Sequence, residues 1–237
     1  VKLDRAAVLE AMRATHIPEA TSGLWRVHRW SPRTPQVNRD GEIVAPGTYT
    51  SLRRLTWETA DAGGEAVMSD DLPELRKHLE PIFRARGRVL VSGLGLGCVV
   101  RGFLANPAVE HVDVVERDPD VLTLVRPHLP RERVTIYQAD AVAFAKSAAR
   151  AGFRWDLAWH DLWSDRDGGE PALPITHQRI MLALAGQVAW QGAWAYPRWL
   201  REILRRRFPA ARAFARAGER GGPGELRARC ASLAATS

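Results

Sequence analysis

Arg88-Val-Leu-Val-Ser-Gly-Leu-Gly-Leu-Gly-Cys98 is the stretch on which the fold turns. Val89 to Val91 read as a buried strand. A loop with glycine at 93, 95 and 97 follows, and then a helix-like run from Val99 to Leu104. The next apolar run, Val112 to Val115, ends in Glu116. Strand, glycine loop, helix, strand, acid is the front half of a nucleotide-binding crossover unit. Glycine lets the backbone turn tightly and come close to a ligand. The helix start offers free N–H groups. A carboxylate at the tip of the second strand accepts hydrogen bonds from both hydroxyls of a ribose. On this expectation Glu116 faces an open cleft and packs against almost nothing. The plain structural alternative is a glycine-rich turn in an ordinary parallel-sheet protein.

Downstream, the pattern continues as helix 119–127, strand 133–138, helix 141–150 and strand 155–160, with Asp118-Pro119 as a helix start. Alternating strands and helices imply a parallel sheet covered on both faces. Past Asp161, a polar loop from Ser164 to Pro174 reads as a lid and Ile175 to Val188 as a helix. Ala189 to Tyr196 holds a short fifth strand, Pro197 to Phe208 another helix, and residues 217–237 an irregular tail. No sixth or seventh strand is legible.

Upstream, residues 4–14 have an amphipathic helical look. Leu24 to Trp30 and Thr48 to Trp57 alternate between proline- and glycine-marked turns, as in a small antiparallel β unit. Ala62-Gly63-Gly64 is a turn, with Glu65 to Met68 as its return strand. Ser69 to Glu80 reads as one helix capped by Ser69 or Asp70. The expected organisation is an N-terminal extension over 1–80, a core domain over 81–216 and a tail over 217–237.

The 237 residues leave room for a core domain of roughly 150 residues, a typical size, beside that extension. No apolar run approaches the ~18 residues of a membrane helix. Lys2, Asp4, Arg5 and Glu10 interrupt any secretory signal pattern. Two cysteines, Cys98 and Cys230, make no disulfide framework, so a cytoplasmic protein is expected. The net charge of +7 raises nucleic acid as a partner. Lysine occurs only at 2, 77 and 146, however, and an arginine-rich, lysine-poor balance is a compositional habit of GC-rich coding. The cluster Arg201, Arg205, Arg206 and Arg207 is read as a solvated helix face in preference to a nucleic-acid contact. Self-association is left open.

Glycine spacing separates the ligand classes. A dinucleotide fingerprint needs glycine where Cys98 stands, and a P-loop needs Gly-Lys followed by Ser or Thr. The Gly-x-Gly-x-Gly found here resembles motif I of the class I S-adenosylmethionine-dependent methyltransferases and of the related spermidine synthases. The resemblance runs from about residue 48 to 161. It implies an open, mostly parallel, Rossmann-like α/β sheet of methyltransferase type, with the small N-terminal β-rich extension, and S-adenosylmethionine as cofactor. Gly93, Gly95 and Gly97 then approach the cofactor's methionine part and Glu116 its ribose. Asp140, in Tyr137-Gln-Ala-Asp-Ala141, meets the adenine amino group, where a plain reading makes it a helix cap. Asp161, at the end of the fourth strand, positions or deprotonates the acceptor. His160 beside it points to the opposite face.

The chain also departs from the spermidine synthases. Leu96 stands where their loop carries an acid, and His160-Asp-Leu-Trp-Ser replaces their Asp-Ser-Ser-Asp-Pro run. Trp163 is a candidate wall for the acceptor pocket, since aromatic faces attract cations. No Asn/Asp-Pro-Pro-Tyr motif is present. Cys98 reads as a small buried apolar residue, and the histidines show no metal-ligand spacing, so no metal is expected. The first functional expectation is an S-adenosylmethionine-dependent transferase, most simply a methyltransferase, with its acceptor unidentified and a small molecule favoured over nucleic acid. The second is an aminopropyltransferase, to which the acids 70, 71, 74 and 161 point. The third is a non-catalytic relative that binds a nucleoside.

Overall fold

The computed structural model describes residues 3–38, 41–162 and 172–194. Helix α1 (Arg5–Met12) starts at Asp4, whose carboxylate accepts from the Ala6 and Ala7 amides. Strands β1 (Ala20–Ser22), β2 (Trp25–Trp30), β3 (Gln36–Val37), β4 (Ile43–Val44), β5 (Tyr49–Arg54) and β6 (Glu65–Ser69) follow. β1-β2-β5-β6 form an antiparallel sheet, and β3 and β4 form a separate ribbon. Two short helices, α2 (Leu72–Arg76) and α3 (Leu79–Arg84), lead to the core. The core is β7 (Gly87–Ser92), α4 (Cys98–Ala105), β8 (Val109–Glu116), α5 (Pro119–Val125), β9 (Val134–Gln138), α6 (Ala141–Arg150), β10 (Trp155–His160), α7 (Ala172–Ala183) and β11 (Val188–Ala193).

The core strands form one parallel sheet in the order β11-β10-β7-β8-β9. Successive side chains alternate between its faces. Val89, Val91, Val112, Val114, Leu157 and Trp159 meet α4 and α5 on one face, and Leu90, Val115 and Ala158 meet α6 and the end of α7 on the other. The chain builds outward from β7 on one side and returns to its other side with β10. Ligands bind at such a switch point, outside the carboxyl ends of the strands. The fold is therefore the Rossmann-like α/β sheet expected, with an N-terminal antiparallel β region.

Three element expectations are corrected. The single helix over 69–80 is two, broken at Lys77-His78, and Asp71 rather than Ser69 or Asp70 caps the first. Pro81 has no N–H to give the Lys77 carbonyl, so the first helix stops and a second begins with the proline in its first turn. The helix over 175–188 instead spans Ala172–Ala183. Gly186, at φ +86°, turns the chain so that Val188 opens β11. Ala172 to Pro174, expected in the lid loop, are therefore helical. The rest of that lid, Trp163, the helix over 197–208 with its arginine cluster, and the tail lie outside the described residues.

Asp70 ties the N-terminal unit together. It is fully buried, and its carboxylate accepts from the Thr50 amide at 2.7 Å, the Ala14 amide at 2.8 Å and Arg13 Nε at 3.2 Å. The end of α1, the start of β5 and the end of β6 thus meet on one side chain. Removing one partner of a buried pair typically costs about 3–5 kcal/mol. We predict that Asp70→Ala lowers the unfolding free energy by about 3 kcal/mol in urea titrations. A loss below about 1 kcal/mol, the size of an ordinary surface change, would remove Asp70 from this role.

Candidate functional site

The glycine loop leaves β7 at the switch point. The Gly93 amide still donates to the Val115 carbonyl at 2.8 Å, and the Asp161 amide donates to the Ser92 carbonyl at 2.8 Å. This brings the end of β10 against the loop. A Cβ at position 93 would overlap the Asp161 carbonyl oxygen, and φ there is +94°. Leu94 and Leu96 are buried, so the loop is pinned through its two leucines while Gly93 and Gly95 stay partly open.

Met68, from β6, covers that open part. Its thioether sulfur lies where a Cβ on Gly95 would stand, and the Leu96 amide points at the sulfur from 3.1 Å. The extension therefore reaches over the carboxyl edge of the parallel sheet. It does so again at α5. Trp25 Nε1 donates to Asp118 at 2.6 Å, and Ser22 Oγ donates to Asp120 at 2.7 Å.

Glu116 ends β8 beside the loop. Its carboxylate accepts from the Leu94 amide at 2.9 Å and the Asp118 amide at 2.8 Å. The expectation that it packs against almost nothing is therefore corrected: the acid holds the glycine loop in shape. A carboxylate has about four acceptor positions, so half remain for a ligand. The Ala139 amide donates to the Glu116 carbonyl at 3.0 Å, which puts the loop after β9 alongside. Asp140 in that loop is exposed and caps α6 through the Ala143 amide at 2.9 Å.

Asp161 stands just beyond β10. Burial raises its carboxyl above the ordinary range, partly offset by the neighbouring His78 and Lys77. Asp161 Oδ2 lies 3.9 Å from His78 Nε2, and Glu74 Oε1 lies 3.9 Å from the same nitrogen. Of the acids singled out in the sequence, Glu74 thus shares a neighbour, His78, with Asp161. Asp70 and Asp71 do not serve there: Asp70 bonds the backbone as described, and Asp71 accepts from the Glu74 amide at 3.0 Å. The sequence reading missed His78, which it tested only for metal spacing. Helical spacing would have found it, since Glu74 and His78 are i and i+4.

His160 is buried on the opposite face. Its Nδ1 lies 3.0 Å from Ser92 Oγ and its Nε2 3.4 Å from Gln191 Oε1. Burial and the neighbouring His177 push its imidazole down to about 3, so it is neutral and internally paired. Burial pushes the Cys98 thiol up to about 12, which makes it a packing residue. Among the described residues no cluster of three His, Cys, Asp or Glu side chains could hold a metal, and no helix is long and apolar enough to cross a membrane.

No family model and no curated protein matches this sequence. Solved structures do. Human methyltransferase-like protein 13 in complex with SAH is 21% identical, with a TM-score of 0.39, over 48% of this chain and 58% of that one. A spermidine synthase from Thermotoga maritima is 19% identical, with a TM-score of 0.38, over 60% of this chain and 46% of that one. A methyltransferase from Geobacter sulfurreducens is 21% identical, with a TM-score of 0.39, over 58% and 70%. The three named are a methyltransferase-like protein, a spermidine synthase and a methyltransferase, and the likeness is one of fold. The chain spans about half the length of the first two.

Glu116 supplies a test that needs no ligand. Glu116→Ala leaves the Leu94 and Asp118 amides without their acceptor, and an unsatisfied buried donor costs about 1–3 kcal/mol. We predict a loss of that size in chemical denaturation of the ligand-free protein. Unchanged stability would show that Glu116 does not hold the loop.

Proposed function

We propose that this protein is an S-adenosylmethionine-dependent transferase, most simply a methyltransferase acting on a small-molecule acceptor. The observation that carries the reading is convergence at the switch point. The half-open glycines 93 and 95, the spare acceptor positions of Glu116, the exposed carboxylate of Asp140 and the carboxylate of Asp161 all lie on the carboxyl edge of one sheet. The cofactor would supply an electrophilic carbon on a sulfonium. Gly93, Gly95 and Gly97 would border its methionine part, Glu116 would accept from the ribose hydroxyls, and Asp140 would meet the adenine amino group. Asp161 would orient the acceptor and take its proton. Group transfer of this kind needs alignment of the reactants and a base. On this reading residues 81–216 form the cofactor half, and the extension over 1–80 closes it.

These residues fit the cofactor on one condition. The Met68 side chain must leave Gly95, which its three rotatable bonds permit. The second reading, aminopropyl transfer, is supported by Glu74 and Asp161 both facing His78, because a cationic acceptor favours several carboxylates in one place. The third, a non-catalytic relative, is supported by the internal partners that the loop, Glu116 and Asp140 already have.

Thermal shift decides among ligands. S-adenosylmethionine or its demethylated product at 100 times its dissociation constant should add about 2.7 kcal/mol of stability, and NAD nothing. A response to the decarboxylated form alone would favour aminopropyl transfer. Silence from every adenosyl compound would reject the proposal. Met68→Ala tests the condition by calorimetry. Removing a side chain that the ligand must displace should tighten binding of the demethylated product by about tenfold, equivalent to 1.4 kcal/mol. Weaker binding would make Met68 part of the binding wall.

A further inference from the structure

His78 is 1% exposed and sits where α2 ends and α3 begins. Trp159 Nε1 donates to its Nδ1 at 3.2 Å, with the rings edge to face at 89°. Indole nitrogen only donates, so Nδ1 must be the bare nitrogen of a neutral imidazole and Nε2 must carry the hydrogen. That Nε2–H is buried and has no hydrogen-bond partner. It faces Glu74 Oε1 and Asp161 Oδ2, each at 3.9 Å. Leaving a buried donor unmade is costly, so an unpaired one facing two carboxylates asks for a role.

We infer that His78 is the positioning residue of this site: its Nε2–H, oriented by Trp159, is the donor that turns the Asp161 carboxylate toward the acceptor's place and links it to Glu74. The inference rests on the proposed role of Asp161. It adds a residue that touches neither cofactor nor acceptor. Both contacts at 3.9 Å are within a small side-chain rotation of a hydrogen bond, and catalytic hydrogen bonds are often long before the ligand arrives. Glu74 is held from behind, because Lys77 Nζ bonds its other oxygen at 2.9 Å and also reaches Glu42 at 3.0 Å. Asp161 is thus the carboxylate left to turn. The charged and titratable groups around it among the described residues are Glu74, Lys77 and His78, with Glu42 beyond Lys77.

A donor of this kind favours the ionised form of the carboxylate it faces, and it does so through the hydrogen on Nε2. The experiment is NMR on the full chain without ligand. Long-range proton–nitrogen spectra at pH 7 should show His78 as the Nε2–H tautomer. Carboxyl-carbon titration should show the Asp161 midpoint moving up by about one pH unit in His78→Leu. His78→Gln, which restores an N–H donor, should recover part of that shift. Trp159→Phe frees Nδ1, so it should mix the tautomers and raise the Asp161 midpoint while leaving residue 78 unchanged. Should His78→Leu fail to fold, the Gln and Phe variants carry the same test.

An Nδ1–H tautomer in the wild type overturns the inference. So does an Asp161 midpoint indifferent to these substitutions in folded protein. Calorimetry with the demethylated cofactor product separates the two claims. Intact binding with an indifferent Asp161 rejects His78 alone. No binding by the wild type rejects the proposed function and, with it, any positioning role.

Discussion

The structure depends on how closely the chain passes itself at the carboxyl end of β7. Only a residue without a side chain lets the loop at Gly93 lie against the Asp161 carbonyl while the Asp161 amide pairs with Ser92. The loop turns at that point through positive φ, a region that side chains disfavour. From this contact follow the junction of β7 with β10, the switch point between them and the placing of Asp161 beside the glycines. Glu116 completes the arrangement from the other side by accepting from the Leu94 amide. One loop is thus held by a backbone approach on one flank and a carboxylate on the other.

The groups proposed to meet a ligand are therefore also groups that hold the protein together. Gly95 accommodates a sulfur from the extension, Glu116 shapes the loop, and Asp140 caps a helix. A dual role has an energetic consequence. Partners that already satisfy buried amides keep the loop ordered without ligand, so binding has less ordering entropy to overcome. Met68 acts in the other direction, since it must move. The extension is then more than a scaffold: through Met68, Trp25 and the α2–α3 junction it touches the glycine loop, the start of α5 and Asp161.

The two histidines near Asp161 show how environment separates similar side chains. His160 lies on the α6–α7 face, where Ser92 and Gln191 satisfy both its nitrogens and burial keeps it neutral. His78 lies on the other face, with one nitrogen held by Trp159 and the other turned to two carboxylates. Adjacency in sequence drew notice to His160, and strand alternation already set it on the opposite face. Packing brought in His78, more than eighty residues before Asp161.

What the sequence determined by itself was local or periodic. Alternating apolar runs marked the five parallel strands, Asp118-Pro119 marked the start of α5, and the glycine spacing with Glu116 marked the crossover unit, because strand period, helix capping and glycine conformation act over a few residues. The broken helix was legible in principle, since Pro81 forbids the bond that would have continued it. What only the tertiary structure decided was which distant groups meet: Met68 on Gly95, the Leu94 amide on Glu116, Glu74 and Asp161 on either side of His78, and Asp70 buried among three donors. The meetings of Met68 with Gly95 and of His78 with Asp161 depend on how the N-terminal extension docks against the carboxyl edge of the parallel sheet. Docking is set by the summed packing of many side chains, and no short run of sequence carries that sum.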